Sequence, residues 1–190
     1  KIVDANQSMR DGQWKKFEGI QLANKNLGLI GYGRIGKRIA KLAKHFKLNI
    51  FINDINYKLK KKIFKAGYKF SSKRNIFKKA DFLCLAVNLN KSSFHMIGNN
   101  QFKQMKKNLI LINISRGPVI NELHLIKALK NQIIFGAGLD VFENEPLKKT
   151  NSLIKMNNCV LSAHNAFNTT EASNQTNIAS VNNLIKGLKI

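Results

Sequence analysis

Apolar residues alternate along this chain between short unbroken runs and helical spacing. Asn26-Leu-Gly-Leu-Ile30 is a strand-like run that ends in glycines. Ile35, Ile39, Leu42, Ala43 and Phe46 then recur at the spacing of one helix face. Leu48 to Ile52 returns to the strand pattern, a lysine-rich helix is expected near Tyr57 to Ala66, and Tyr68 to Phe70 reads as a short strand. Phe82 to Val87 and Leu109 to Ile114 read as continuous buried strands, with helical material around Gln101 to Met105 between them. Asn121 can cap a helix carrying Leu125, Ala128 and Leu129. Ile134 to Val141 and Cys159 to Ser162 complete the strands, and a last helix is expected from about Thr170 to Ile185.

Strands that read as unbroken apolar runs are buried on both faces, so alternation with helices predicts a parallel sheet covered on two sides. About seven strands in this order describe a doubly wound α/β fold with flanking crossover helices. The opening segment Lys1 to Phe17 and the closing helix lie outside the alternation and read as connectors. The expected organisation is a connector helix over 1–20, a nucleotide-binding domain over 21–167 and a crossover helix over 168–190. A chain of 190 residues that is 44% apolar can bury the core of one domain. Its longest apolar runs fall far short of the ~20 residues of a membrane helix, so no membrane partner is expected. The chain starts at Lys1 without an apolar leader, which suggests a soluble, cytoplasmic portion of a longer reading frame.

Gly31-Tyr-Gly33-Arg-Ile-Gly36 follows the first strand and opens the first helix. One glycine serves the tight turn, one lets the backbone approach a pyrophosphate, and one permits close helix–strand packing. The helix N-terminus then offers free N–H groups to the phosphates, with Arg34 and Ile35 at its start. Asp54, at the end of the second strand, stands where a carboxylate accepts from the adenosine ribose hydroxyls. The context of strand, glycine turn, helix and strand predicts a Rossmann dinucleotide-binding sheet. An acid at that position repels a 2′-phosphate, so NAD is expected over NADP.

Charge adds one puzzle. The chain carries 33 lysines and arginines against 10 acids, a net charge of +23. Such a balance raises the possibility of a polyanion-binding surface. The lysines are spread along nearly the whole chain and arginine is scarce, so a compositional bias toward lysine and asparagine accounts for the charge, and no specific nucleic-acid partner is expected. Cys84 and Cys159 sit far apart inside apolar runs. They read as buried thiols in a reducing compartment, and no metal site is expected.

From Ala80 onward three motifs occur in order: Ile112-Asn-Ile-Ser-Arg-Gly-Pro-Val119, Gly138-Leu-Asp-Val-Phe-Glu-Asn-Glu-Pro146 and Ser162-Ala-His-Asn-Ala166. Together they resemble the D-isomer-specific 2-hydroxyacid dehydrogenases, a family that includes D-3-phosphoglycerate dehydrogenase. The resemblance runs from Gly12-Gln-Trp14 to the final helix. It implies that Arg116 grips the carboxylate and keto oxygen of a 2-oxo acid. His164 would be the proton donor and acceptor, and Glu145 the acid paired with it. It further implies that Asp140 holds the nicotinamide, with Arg34, Ile35, Ile114, Ser115, Arg116, Val87, His164 and Ala166 among the cofactor contacts. In that family the NAD-binding domain is inserted into a second domain that completes the substrate cleft. On this reading the chain is expected to carry little of such a substrate domain.

Elementary chemistry points the same way. Moving a hydride between carbon and nicotinamide needs a cation for the oxyanion, a proton donor and a group that tunes the donor. A carboxylate beside a histidine favours the imidazolium, and an arginine fork suits a 2-oxo acid. Asp140, Glu143 and Glu145 cluster in one short stretch of an acid-poor chain, which suggests a local role; Glu143 taken alone reads as a solvated loop residue. His45, His95 and His124 have no partner motif and read as structural or exposed. Two positions depart from the family: Asn88 replaces a common proline after the fourth strand, and Asn165-Ala-Phe167-Asn replaces a glycine-rich stretch after His164. The leading expectation is an NAD-dependent oxidoreductase for a D-2-hydroxy acid, of phosphoglycerate type and homodimeric. The alternative is a non-enzymatic, NAD-sensing dimeric module of the same fold, as in the related transcriptional corepressors.

Overall fold

Each unbroken apolar run becomes a strand of a single sheet. The computed structural model describes residues 1–188 and places seven parallel strands in the order β3-β2-β1-β4-β5-β6-β7. They are β1 (Asn26–Ile30), β2 (Asn49–Asn53), β3 (Lys69–Phe70), β4 (Phe82–Leu85), β5 (Ile110–Asn113), β6 (Gly136–Leu139) and β7 (Cys159–Leu161). The helices are α1 (Ile2–Arg10), α2 (Arg34–His45), α3 (Lys60–Lys65), α4 (Lys73–Lys79), α5 (Asn99–Phe102), α6 (Glu122–Lys130) and α7 (Thr170–Leu188). The last two residues of the segment expected as a crossover helix, 189–190, lie outside the described residues.

Side chains alternate across a strand, and the core divides accordingly. Leu83 and Leu85 face one cluster, with Ile76 and Phe77 of α4, Phe102 of α5 and Leu125 and Leu129 of α6. Cys84 faces the other, with Leu27, Leu29, Ile52, Ala40 and Ala43 of α2 and Ile63 of α3. Burying a side chain such as Leu29 or Leu83 stabilises the fold by about 1.5–3 kcal/mol. At the opposite end of the sheet from the glycine turn, Asp81 ties β4 to its neighbours. It accepts from Asn26 N–H at 2.8 Å and from Lys106 Nζ at 2.8 Å.

The chain runs outward from β1 to β2 and β3, then returns to β4 beside β1 and proceeds the other way. This reversal opens a crevice beyond the carboxyl ends of β1 and β4, the usual ligand position in open α/β sheets. The strand ends sit within two residues of their sequence expectations at most points, and β6 is shorter than the apolar run Ile134 to Val141.

Three elements differ from expectation. On α2 the buried residues are Gly36, Ala40 and Ala43, while Ile35, Leu42 and Phe46 face outward. The cause is the approach of α2 to the sheet: a Cβ on Gly36 would lie 2.1 Å from the Gly31 carbonyl oxygen. Only small residues fit that seam. Helix α4 has no apolar periodicity beyond Ile76 and Phe77, and it is set by the Ser72 cap and by those two buried side chains. The expected connector over 1–20 is helical only across α1. Cys159 is half-buried rather than buried, unlike Cys84.

Candidate active site

The crevice starts at the glycine turn. Gly31 has a φ of +99°, and a Cβ there would lie 2.3 Å from the Ala86 carbonyl oxygen. Glycine is therefore required twice over, by backbone conformation and by contact with the end of β4. Gly33 caps α2 and has open space around it. The first N–H groups of α2 have no intrahelical partner and face that space. The expected contacts Arg34 and Ile35 stand exposed at the same helix start. A pyrophosphate fits this arrangement: donors, a positive dipole end and no side chain in the way.

Asp54 closes the other side of the turn. Its Oδ2 accepts from Tyr32 N–H at 2.7 Å and its Oδ1 from Asn56 N–H at 2.8 Å. These bonds fix the carboxylate at the end of β2 and leave each oxygen a second lone pair. Gly31, Gly33, Asp54 and Val87 share the wall of one cleft of about 550 Å³. Asn88, where the family commonly has proline, is exposed on the rim of that cleft.

Farther along the carboxyl edge, β5 delivers Ile114, Ser115 and Arg116. The Ser115 hydroxyl is buried and donates to Asn113 Oδ1 at 2.7 Å. Asn113 in turn donates to the Arg116 carbonyl at 3.0 Å, so the loop folds back on its own strand. Arg116 is exposed, and its Nη1 donates to the Ser115 carbonyl at 2.7 Å.

After β6, Asp140 builds the turn that presents His164. Its carbonyl accepts from His164 N–H at 2.8 Å, and its carboxylate accepts from Asn165 N–H at 2.8 Å and Ala166 N–H at 3.0 Å. His164 is thereby held at a φ of +53°. This left-handed conformation is uncommon for a residue with a side chain and persists only where neighbours enforce it. Burial alone raises the Asp140 carboxyl, but the two N–H donors, with help from Ser162 and His164, hold it below its ordinary value.

His164 and Glu145 meet. His164 Nδ1 lies 2.8 Å from Glu145 Oε2, and Glu145 Oε1 accepts from Phe142 N–H at 3.0 Å. The His164 hydrogen bond is the main reason that the Glu145 carboxyl lies below its ordinary value, and the Arg116 charge adds to it. With Nδ1 engaged, His164 has Nε2 free to exchange a proton. A cleft of about 650 Å³ opens beside the pair, lined by Phe142, Pro146, Leu147 and Leu161.

The sequence profile of the D-isomer specific 2-hydroxyacid dehydrogenase NAD binding domain matches residues 1–166. The chain belongs to this family. Among relatives, a glyoxylate reductase from Thermococcus litoralis is 42% identical over 181 residues, covering 90% of this chain and 54% of that protein. Among solved structures, an acyclic imino acid reductase in complex with NADPH and D-Arg superposes with a TM-score of 0.88 at 28% identity, covering 99% of this chain and 60% of that one. An NAD-complexed D-isomer specific 2-hydroxyacid dehydrogenase from Lactobacillus delbrueckii gives 0.80 at 29% identity, covering 99% and 61%. The chain spans little more than half the length of the relatives it matches.

For this member of the family, the sequence reading missed two things. Asp140 shapes the His164 turn through its carboxylate, a role visible only when β6 and β7 lie side by side. His95 has a partner: its Nε2 meets Glu143 Oε1, so neither residue is a solvated loop position. Of the other histidines, His45 ends α2 as expected, and His124 Nδ1 accepts from Asn99 N–H at 3.3 Å. Among the described residues no group of three or more potential metal ligands occurs, and no helix is long and apolar enough to cross a membrane.

Proposed function

We propose that the protein interconverts a small 2-oxo acid and its D-2-hydroxy acid with NAD, and that this chain supplies the cofactor crevice together with Arg116, Glu145 and His164. The observation that carries the proposal is the His164–Glu145 pair at 2.8 Å under the influence of the Arg116 charge. NADH, when bound, supplies the hydride. The chain's own residues do the rest. The glycine turn and the α2 start bind the pyrophosphate, and Asp54 offers its remaining lone pairs to the ribose hydroxyls. Asp140, Ile114, Ser115, Val87 and Ala166 shape the nicotinamide end. Arg116 forks onto the substrate carboxylate and keto oxygen, and His164 Nε2 gives that oxygen its proton while Glu145 stabilises the imidazolium.

Glyoxylate or a similarly small acid is the substrate class we favour. The relative at 42% identity is named a glyoxylate reductase, as are several others at 37–39%. A phosphorylated acid has less support, since the basic charge is not focused on the cleft. Residues 21–167 form the NAD-binding unit of this reading. The protein works as a homodimer in the cytoplasm, where its two unpaired thiols stay reduced.

The test is NADH oxidation by the full-length protein with glyoxylate, hydroxypyruvate and phosphohydroxypyruvate. Turnover fastest with an unphosphorylated acid is expected. NADH binding without turnover of any 2-oxo acid would overturn the proposal and leave a cofactor-sensing module of the same fold.

A further inference from the structure

A second histidine–carboxylate pair stands between the loops that carry Arg116 and Glu145. His95 lies on the connection after β4. Its N–H donates to the Pro118 carbonyl at 2.8 Å, inside the turn that follows Arg116. Its φ of +46° is again left-handed, so its surroundings hold it there. Its ring stacks on Phe94 with centroids 4.0 Å apart, and its Nε2 lies 2.5 Å from Glu143 Oε1, on the loop that ends in Glu145.

Glu143 is locked in turn to Glu122, the first residue of α6. Glu122 N–H donates to Glu143 Oε1 at 3.2 Å, and Glu143 N–H donates to Glu122 Oε2 at 3.1 Å. Asn151 Nδ2 donates to Glu122 Oε1 at 2.7 Å, so both neighbouring carboxylates are supplied with donors. Backbone contact seals the junction: a Cβ on Gly117 would lie 1.8 Å from the Phe142 carbonyl oxygen.

The network also decides which ring nitrogen carries hydrogen. Asn121 Oδ1 accepts from His124 N–H at 3.0 Å and so caps α6. That leaves Asn121 Nδ2 facing His95 Nδ1 at 3.3 Å. An amide nitrogen only donates, so Nδ1 is the acceptor and the hydrogen sits on Nε2, directed at Glu143. One neutral tautomer satisfies both contacts.

We propose that His95 is a positioning residue. Through Nε2–H on Glu143 and its main-chain bond to Pro118, it fixes the spacing between the Arg116 loop and the Glu145 loop. It thereby aims Arg116 and the Glu145–His164 pair at one substrate. The inference rests on the proposed 2-oxo acid reduction. Its physical basis is that a misplacement of about 1 Å costs on the order of 10²-fold in rate.

The test combines a reading that needs no activity with kinetics, both on the full-length protein. Ring-nitrogen shifts should show the Nε2–H tautomer of His95, and hydrogen exchange should show the Glu122 and Glu143 amides protected. His95→Phe keeps the stacking on Phe94 and removes the donor. It should speed exchange at both amides and lower kcat for 2-oxo acid reduction about 10–100-fold, with NADH affinity retained. His95→Gln, whose amide nitrogen reaches the place of Nε2, should recover most of both readings. Glu143→Ala should match His95→Phe, and it decides the matter if His95→Phe does not fold. An Nδ1–H tautomer, unchanged exchange in the variants, or NADH affinity lost in step with kcat would overturn the proposal. A wild-type protein that turns over no 2-oxo acid would defeat the proposed function, and the exchange at the two amides would still decide whether the clasp exists.

Discussion

Two backbone bonds orient the Asp54 carboxylate, from Tyr32 and Asn56 N–H, and the partner we propose for its remaining lone pairs is the cofactor ribose. Asp54→Ala should therefore weaken NADH binding and narrow its advantage over NADPH, measured by nucleotide fluorescence titration; a wild-type preference for NADPH would refute the role. For the proton transfer we propose for His164, His164→Ala should cut turnover about 10²–10⁴-fold, the usual worth of a positioned general acid. Arg116→Lys should also hurt strongly, because an ammonium cannot fork onto carboxylate and carbonyl. Acid stability follows from Asp140, whose carboxyl is held below its ordinary 3.8 despite burial, because Asn165 and Ala166 donate to it. A lowered folded-state value means stability that is present above the unfolded-state value and lost as pH falls through the folded one. Denaturation in the acid range should thus be steeper for the wild type than for Asp140→Asn, and equal slopes would contradict this. Candidates such as Asp54 and His164 were legible because each follows a strand in a short local motif. The His95–Glu143 pair was not, because its members meet only after β4 and β6 have joined the sheet.

Glycines set the spacing between elements more than large apolar residues do. The stripe Ile35, Ile39, Leu42, Ala43 and Phe46 suggested a core face by period alone, yet of these only Ala43 is buried, and the seam against the sheet belongs to Gly36, Ala40 and Ala43. Periodicity reports that a helix exists; it does not report how near the helix must come. Helix α4 escaped notice for a related reason, since two apolar residues and a serine cap make no period. The runs of β4 and β5 were the clearest elements in the sequence, because strands buried on both faces are almost wholly apolar, with Asn113 at the end of β5 the one polar position in the two. Gly117 offers a test at this scale. Its Cβ position is filled by the Phe142 carbonyl, so Gly117→Ala must push the Arg116 loop away from the Glu145 loop. It should cost about 1–3 kcal/mol or more in chemical denaturation. Catalysis should fall further than NADH binding does. A variant of wild-type stability would mean that the two loops separate freely.

At the scale of the whole molecule, charge and exposed apolar surface point to different partners. On α7 Ile178, Val181, Leu184 and Leu188 are exposed along one stripe, the kind of surface that a second copy would cover in the homodimer we propose. Charge is spread more widely. Lysines stand on α2, α3, α4 and α6, on both faces of the sheet, with the densest run, Lys60, Lys61, Lys62 and Lys65, on α3. A duplex bound by such a surface is held only by counterion release, and each neutralised phosphate adds to the salt slope. Direct base reading would need arginine or amide side chains presented together on one element, and the scarce arginines are dispersed. Binding to DNA should therefore be independent of sequence. A net charge of +23 should make it visible at low salt and nearly absent at physiological salt. Fluorescence anisotropy with two unrelated duplexes across a salt series checks this. Discrimination between the duplexes that survives physiological salt would mean that some of these lysines form a site, and the compositional explanation of the charge would fall.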